Sequence, residues 1–201
     1  MSHRAASTRK TRSDKERNRS HILEVAEQFF AEQGVDGPMH DIAKSAGLGP
    51  GTLYRHFPTR EALLAALLQA RWDELQARRE AIQRHQSDSG AALQAWLQAL
   101  SEYVTVFDGL PEPLRAALSQ DTSPLAITCE ALVETTGHFL AAAQRDDRAH
   151  PWVGERELFL GVLATVWVGG AVLADGASSN ALRSLLRTGW EKPSAGDAGS
   201  T

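Results

Sequence analysis

Residues 38–57, PMHDIAKSAGLGPGTLYRHF, constrain this chain more than any other stretch. Ile42, Ala43 and Ala46 place apolar groups on one face of a first short helix. Gly47 can take a positive φ and end it. Gly49-Pro50 then restarts the chain, because glycine is a tolerated N-cap and proline at the first helical position gives up only an N–H that had no partner. Leu53 and Phe57, four residues apart, point inward on a second short helix. Thr52, Arg55 and His56 remain on its outer face, and Tyr54 keeps its ring against the domain with its hydroxyl outward. Two short helices around a glycine corner are the build of a helix-turn-helix. The second helix of that motif fits the major groove of B-DNA, where these side chains suit phosphates and base edges.

Charge supports an anionic partner for the front of the chain. The net charge is −4, but residues 1–60 hold 10 Lys/Arg against 7 Asp/Glu, and the first twenty hold 7 against 2. The remainder is acidic. A basic front on an acidic body points to nucleic acid at the front only; the alternative is a solvated basic tail. Residues 1–13 are expected as a flexible basic arm whose Arg4, Arg9, Lys10 and Arg12 follow phosphates or enter a minor groove.

Other classes find little support. Cys129 is the single cysteine, so no intramolecular disulfide can form and a reducing compartment, the cytoplasm, is expected. No secretory signal is visible. The longest apolar run, residues 158–174, falls short of the roughly 20 residues of a bilayer span and reads as a buried helix, so no membrane partner is expected. No phosphate-binding glycine loop, G-x-S-x-G or CxxC occurs, so no enzyme activity and no cofactor are expected. Glu130, Glu134 and His138 recur every four residues but lack the H-E-x-x-H order, and no metal is assigned to them.

The run DIAKSAGLGPGTLYRHFPTREALLAAL from Asp41 to Leu67, with RSHILEVAEQFFAEQG from Arg19 to Gly34 before it, resembles the DNA-binding signature of the tetracycline-repressor (TetR) family. The resemblance covers about fifty residues. It implies an all-α fold of about nine helices, with a three-helix helix-turn-helix domain at residues 14–59. A helical regulatory and dimerisation domain follows at 60–190, then a disordered tail at 191–201. It also implies a homodimer on a palindromic double-stranded operator, most simply a repressor released by a small-molecule effector of unknown identity.

Carried onto this sequence, the resemblance assigns base reading to Thr52, Arg55 and His40, the last with a plain surface histidine as its alternative. Tyr54, His56 and Arg60 match positions that grip phosphate, and Arg17 and Arg19 are candidates for the same role. Gly49, Pro50 and Gly51 form the helix start, where backbone N–H groups other than that missing from Pro50 can hold a further phosphate. Two departures matter. The link at residues 35–38 is one residue short and lacks the usual hydroxyl cap, so Asp36 or Gly37 is expected to cap the next helix. Gly49-Pro50 also stands where relatives carry polar side chains.

Helical spacing continues to the end, with helices expected near residues 60–84, 91–107, 109–119, 123–144, 155–174 and 179–190. The helix at 155–174 is apolar on nearly every face and needs partners on every face. Leu158, Val162, Val166, Gly169 and Gly170 with Leu182 and Leu186 are the expected dimer contacts; an internal core helix in a monomer is the alternative. Trp96, Tyr103, Phe107 and Trp167, with Cys129, Glu134 and His138 as polar points, are candidates to line a ligand pocket, against simple core packing. Two other readings stay open: a helical interaction module that has lost DNA binding, and an enzyme.

Overall fold

The computed structural model describes residues 3–120, 122–169 and 176–192. Through them run α1 (His3–Gln33), α2 (Met39–Ser45), α3 (Pro50–His56), α4 (Arg60–His85), α5 (Ser89–Val104), α6 (Pro111–Ala117), α7 (Ala126–Arg145), α8 (Glu155–Gly169) and α9 (Gly176–Trp190). An isolated antiparallel bridge between Ala149 and Glu191 is the one β pairing among the described residues. It ties the end of α9 to the loop after α7, with His150 N–H donating to Trp190 O at 3.0 Å and Lys192 N–H to Arg148 O at 2.9 Å.

The head is built from α1, α2 and α3. Ile22, Ala26 and Phe30 repeat every four residues along α1 and are buried with Ile42, Ala43, Leu53 and Phe57. Burying side chains of this size contributes roughly 1.5–3 kcal/mol each, which is what makes two seven-residue helices stable when neither would be so alone. A His21 ring nitrogen donates to Ala46 O at 3.1 Å and pins α1 to the end of α2. Gly47, at φ +64°, turns the chain toward α3.

Helix α4 joins head and body within one continuous core. Leu63, Leu64, Leu67 and Leu68 are buried on it and lead from the head into Leu93, Trp96, Leu100, Leu132 and Phe159 of the body. Its start is fixed by Thr59, whose hydroxyl accepts Ala62 N–H at 3.1 Å. The start of α5 is fixed by Asp88, which accepts Ala91 N–H at 2.8 Å. That bond, with the nearby Arg148 guanidinium, holds the Asp88 carboxyl below its usual range. Two buried polar side chains link α5 to α7: Trp96 Nε1 donates to Thr136 Oγ1 at 3.0 Å, and Thr136 in turn donates to Leu132 O at 2.8 Å.

Head and body also meet at the turn between α5 and α6. Val35 N–H donates to Asp108 O at 2.8 Å, and Phe30 meets Phe107 edge to face at 6.0 Å. Gly109 holds φ +79°, and a Cβ there would stand 2.9 Å from Val35 Cγ2. Only glycine lets the turn approach the head this closely without strain. On α4, Arg71 pairs with Glu27 of α1 at 3.3 Å and Arg78 with Glu102 of α5 at 2.6 Å.

Several expected boundaries move. Helix α1 starts at His3, so most of the expected arm carries helical backbone continuous with the head. The N-cap of α2 is Pro38, without a side-chain bond, in place of Asp36 or Gly37. The short link is held another way: Arg60 donates to the carbonyls of Val35 and Gly37, and a Cβ on Gly37 would stand 2.5 Å from the Phe29 ring. Helix α5 ends at Val104, which leaves Phe107 in the turn. Glu191 and Lys192, expected in a loose tail, are fixed by the bridge. Gly170 and the rest of the apolar run after Gly169 lie outside the described residues, as does the chain from residue 193.

Candidate nucleic-acid interface and body cavities

Helix α3 presents its outer face as expected from its spacing. Leu53 is buried, Tyr54 is 45% exposed, and Arg55 is exposed while Thr52 and His56 are half-buried. The Arg55 Nε donates to Gly51 O at 3.0 Å, which lays the guanidinium along the helix toward its start. No atom would lie within 4 Å of a Cβ at Gly47, Gly49 or Gly51. The corner leading into α3 is therefore bare, and a phosphate can approach the N–H groups there without meeting a side chain.

Helix α1 adds charge to the same face. Arg19 lies over the Phe57 ring with its guanidinium carbon 5.2 Å from the centroid, a cation–π contact that holds it beside α3. His56 lies near Lys15, Arg19 and Arg55; partial burial first, then these three cations, push its pKa below the ordinary imidazole value. The three cations make this end of α3 electropositive.

The remaining expected contacts are placed differently. Arg17 pairs with Asp14 on an exposed stretch of α1; such a pair is worth about 0–1 kcal/mol and can yield to a phosphate. His40 is exposed, 3.1 Å from an Asp41 carboxylate oxygen. Arg60 departs from expectation: it is half-buried and bonded to the carbonyls of the 35–37 link, so it braces the head.

The body corrects the expected pocket. Trp96 is buried and stacked on Phe139 at 5.4 Å. Tyr103 donates to Leu68 O at 2.8 Å, and burial pushes its pKa up. Cys129 is buried with Sγ 3.4 Å from Leu114 O, its thiol pushed up to about 12 by burial. These three are core. Glu134 and His138 are exposed on α7, and Trp167 is 63% exposed on α8. Phe107, packed on Phe30, touches a hollow only at the seam. Two hollows lie toward α9, and Phe107 and Trp167 both line the second of them. One of about 480 Å³ runs between α5 and α9 with α8 as its floor. Another of about 450 Å³ lies between residues 105–111, α8 and α9.

The expected contact face divides too. Leu158 and Val162 are buried in the chain's own core. Leu186 packs on Gly161, where a Cβ would stand 2.7 Å from its Cδ1. Val166 and Leu182 are half-buried and Gly169 is exposed. Trp167 and Leu185, the latter 68% exposed, carry the outward apolar surface, joined by the exposed Ala164 and Ala181.

Comparison with known proteins agrees with this arrangement. The family model for bacterial regulatory proteins of the tetR family matches residues 22–67. The model for the C-terminal domain of SbtR-like transcriptional regulators matches residues 88–191, more than half of the chain. The chain belongs to the TetR family. It is a DNA-binding transcriptional regulator with an SbtR-like body. The HTH-type transcriptional regulator SAR0097 of Staphylococcus aureus (strain MRSA252) is 44% identical over 70 residues, 33% of this chain. The match spans only 36% of that relative's length. The TetR transcriptional regulator SCO0520 from Streptomyces coelicolor is 26% identical, with a TM-score of 0.57, over 88% of this chain and 99% of that one. RolR, solved with the ligand resorcinol, has a TM-score of 0.63 at 16% identity over 92% of this chain and 93% of its own.

In this TetR-family chain, sequence reasoning missed Lys15 and the hollow beside α9. Lys15 had a signal, since it stands four residues before Arg19 on the same helical face. The hollow had none, because it depends on how far α9 stands off α5.

Proposed function

We propose that this protein is a homodimeric repressor, released from a palindromic operator by a small molecule bound in its body. The observation that carries the reading is the α3 face: outward Thr52, Tyr54, Arg55 and His56 beside a bare glycine corner, flanked by Lys15 and Arg19. Bidentate arginine contacts to guanine are the commonest specific readout, and the surrounding cations supply affinity without sequence preference.

The apolar surface of Trp167 and Leu185 supports dimerisation through α8 and α9. Large aromatic and aliphatic side chains left in water on adjoining helices fit an interface. Two α3 helices related by a two-fold axis then meet successive major grooves about 34–36 Å apart.

The α5–α6 turn supports effector release. A ligand in the body that shifts this turn acts directly on Val35, and through Arg60 on the start of α4. The ligand must favour one arrangement over the other, since tight binding alone shifts nothing. RolR, a protein of this fold, is described with resorcinol, which agrees with a small-molecule effector. The protein acts by binding and not by catalysis, and in the cytoplasm. No helix among the described residues is long and apolar enough to cross a membrane.

A gel shift with DNA from upstream of the protein's own gene, together with a reporter driven by that DNA, tests the reading. Retarded DNA and a reporter that rises when the protein is deleted are expected. No shift at low salt, or a reporter that falls on deletion, contradicts it.

A further inference from the structure

We propose that the hollow between α5 and α9 binds an anionic amphiphile, a carboxylate on an apolar body, with Arg183 as its counter-ion. This rests on the reading that the body holds an effector, and it names the chemical class. The volume of about 480 Å³ suits a small ligand. Leu97, Val162, Leu186 and Trp190 give it an apolar lining, and Gln94, Gln98 and Ser184 a polar one. A lining of both kinds selects a molecule with both characters.

The sign of the charge comes from α9. Arg183 and Arg187 both line the hollow. Arg187 is already neutralised, because Glu191 accepts from its Nε at 2.6 Å and from Nη2 at 3.0 Å. Arg183 donates to the neutral amide oxygen of Asn180 at 3.0 Å, and it makes no ion pair among the described residues. Among the described residues, the hollow therefore carries one cation without an ion-pair partner beside its apolar lining. Asp108 lines the neighbouring hollow, which Arg183 and Thr165 share. This places the anion on the α5 side of Arg183, away from that carboxylate.

The outward apolar side of α9 is turned away from the hollow. At 100° per residue, Arg183, Arg187 and Trp190 fall on one side of α9, and Ala181, Leu185 and Thr188 on the other. The exposed apolar Leu185 is thus turned away from the hollow.

Calorimetric titration of the full chain with octanoate, octanol and octylammonium tests the proposal. Octanoate is expected to bind most tightly. R183Q should weaken octanoate about tenfold or more while leaving octanol unchanged. A95W, which fills the hollow from α5, should abolish binding of both, with a melting curve to show that the variant is folded. Octanoate binding no tighter than octanol, or equal octanoate affinity in wild type and R183Q, overturns the site. A gel shift of the unliganded protein separates the two readings. Operator binding that persists while octanoate fails leaves the regulator standing and removes this site.

Discussion

Replacing Arg60 with alanine separates a brace from a phosphate contact. One Arg60 nitrogen donates to both Val35 O and Gly37 O, the latter at 2.7 Å. A bond from a charged donor contributes about 1.5–3 kcal/mol when well sheltered, but this side chain is half-buried and the two bonds share one nitrogen. Water can replace part of what is lost, so R60A should cost about 2 kcal/mol in total. For a chain of this size that lowers Tm by roughly 4–8 °C. Thermal unfolding by circular dichroism reads the shift. DNA binding across a salt series reads the alternative, since loss of one phosphate contact reduces the slope of log K against log salt by about 0.9. The brace predicts lower Tm with an unchanged slope. An unchanged Tm with a slope reduced by about one refutes the reasoning and returns Arg60 to the DNA surface.

Three further outcomes are expected. R55A should cost about 1–3 kcal/mol at the base pair that Arg55 reads and relax preference there, whereas Y54F should weaken all operator variants alike; binding to a panel of single-base variants distinguishes them. L185E should convert the dimer to monomer, as measured by light scattering, because it places a charge on the outward apolar surface of α9; a dimer of undiminished strength excludes that face. His56 should make DNA binding tighten as pH falls. Its pKa is depressed in the free protein by partial burial and by Lys15, Arg19 and Arg55, and a phosphate beside it raises the pKa, so binding takes up a proton. The gain appears as pH drops through the raised value and saturates below the depressed one, and H56Q should abolish that slope.

The head was largely legible because its determinants are local. Gly47, Gly49 and Pro50 act on their own backbone, and the four-residue spacing of Leu53 and Phe57 states which face turns inward. The role of Arg60 was not legible, because the carbonyls it meets are more than twenty residues away and the shortness of the link alone does not say what satisfies them. In the body the pattern names core residues without sorting them. Trp96 and Trp167 are equally apolar in the sequence, yet one is stacked on Phe139 and the other stands in water. Leu158 and Val162 share a helix with Trp167, and an all-apolar helix does not declare which face meets its own core. Gly161 carries a signal only once Leu186 is seen against it. Cys129, Glu134 and His138 looked like polar points of one cavity, but the rotation of α7 buries the first and exposes the other two.

The central claim is that the α3 face enters DNA twice, on one two-fold axis. Nuclease footprinting on a fragment selected from genomic DNA tests this most directly. Two protected half-sites of inverted sequence are expected, their centres a whole number of helical turns of about 10–10.5 base pairs apart, and both should vanish together in the T52A/R55A variant. A single unpaired footprint, or protection that survives that variant, contradicts the account.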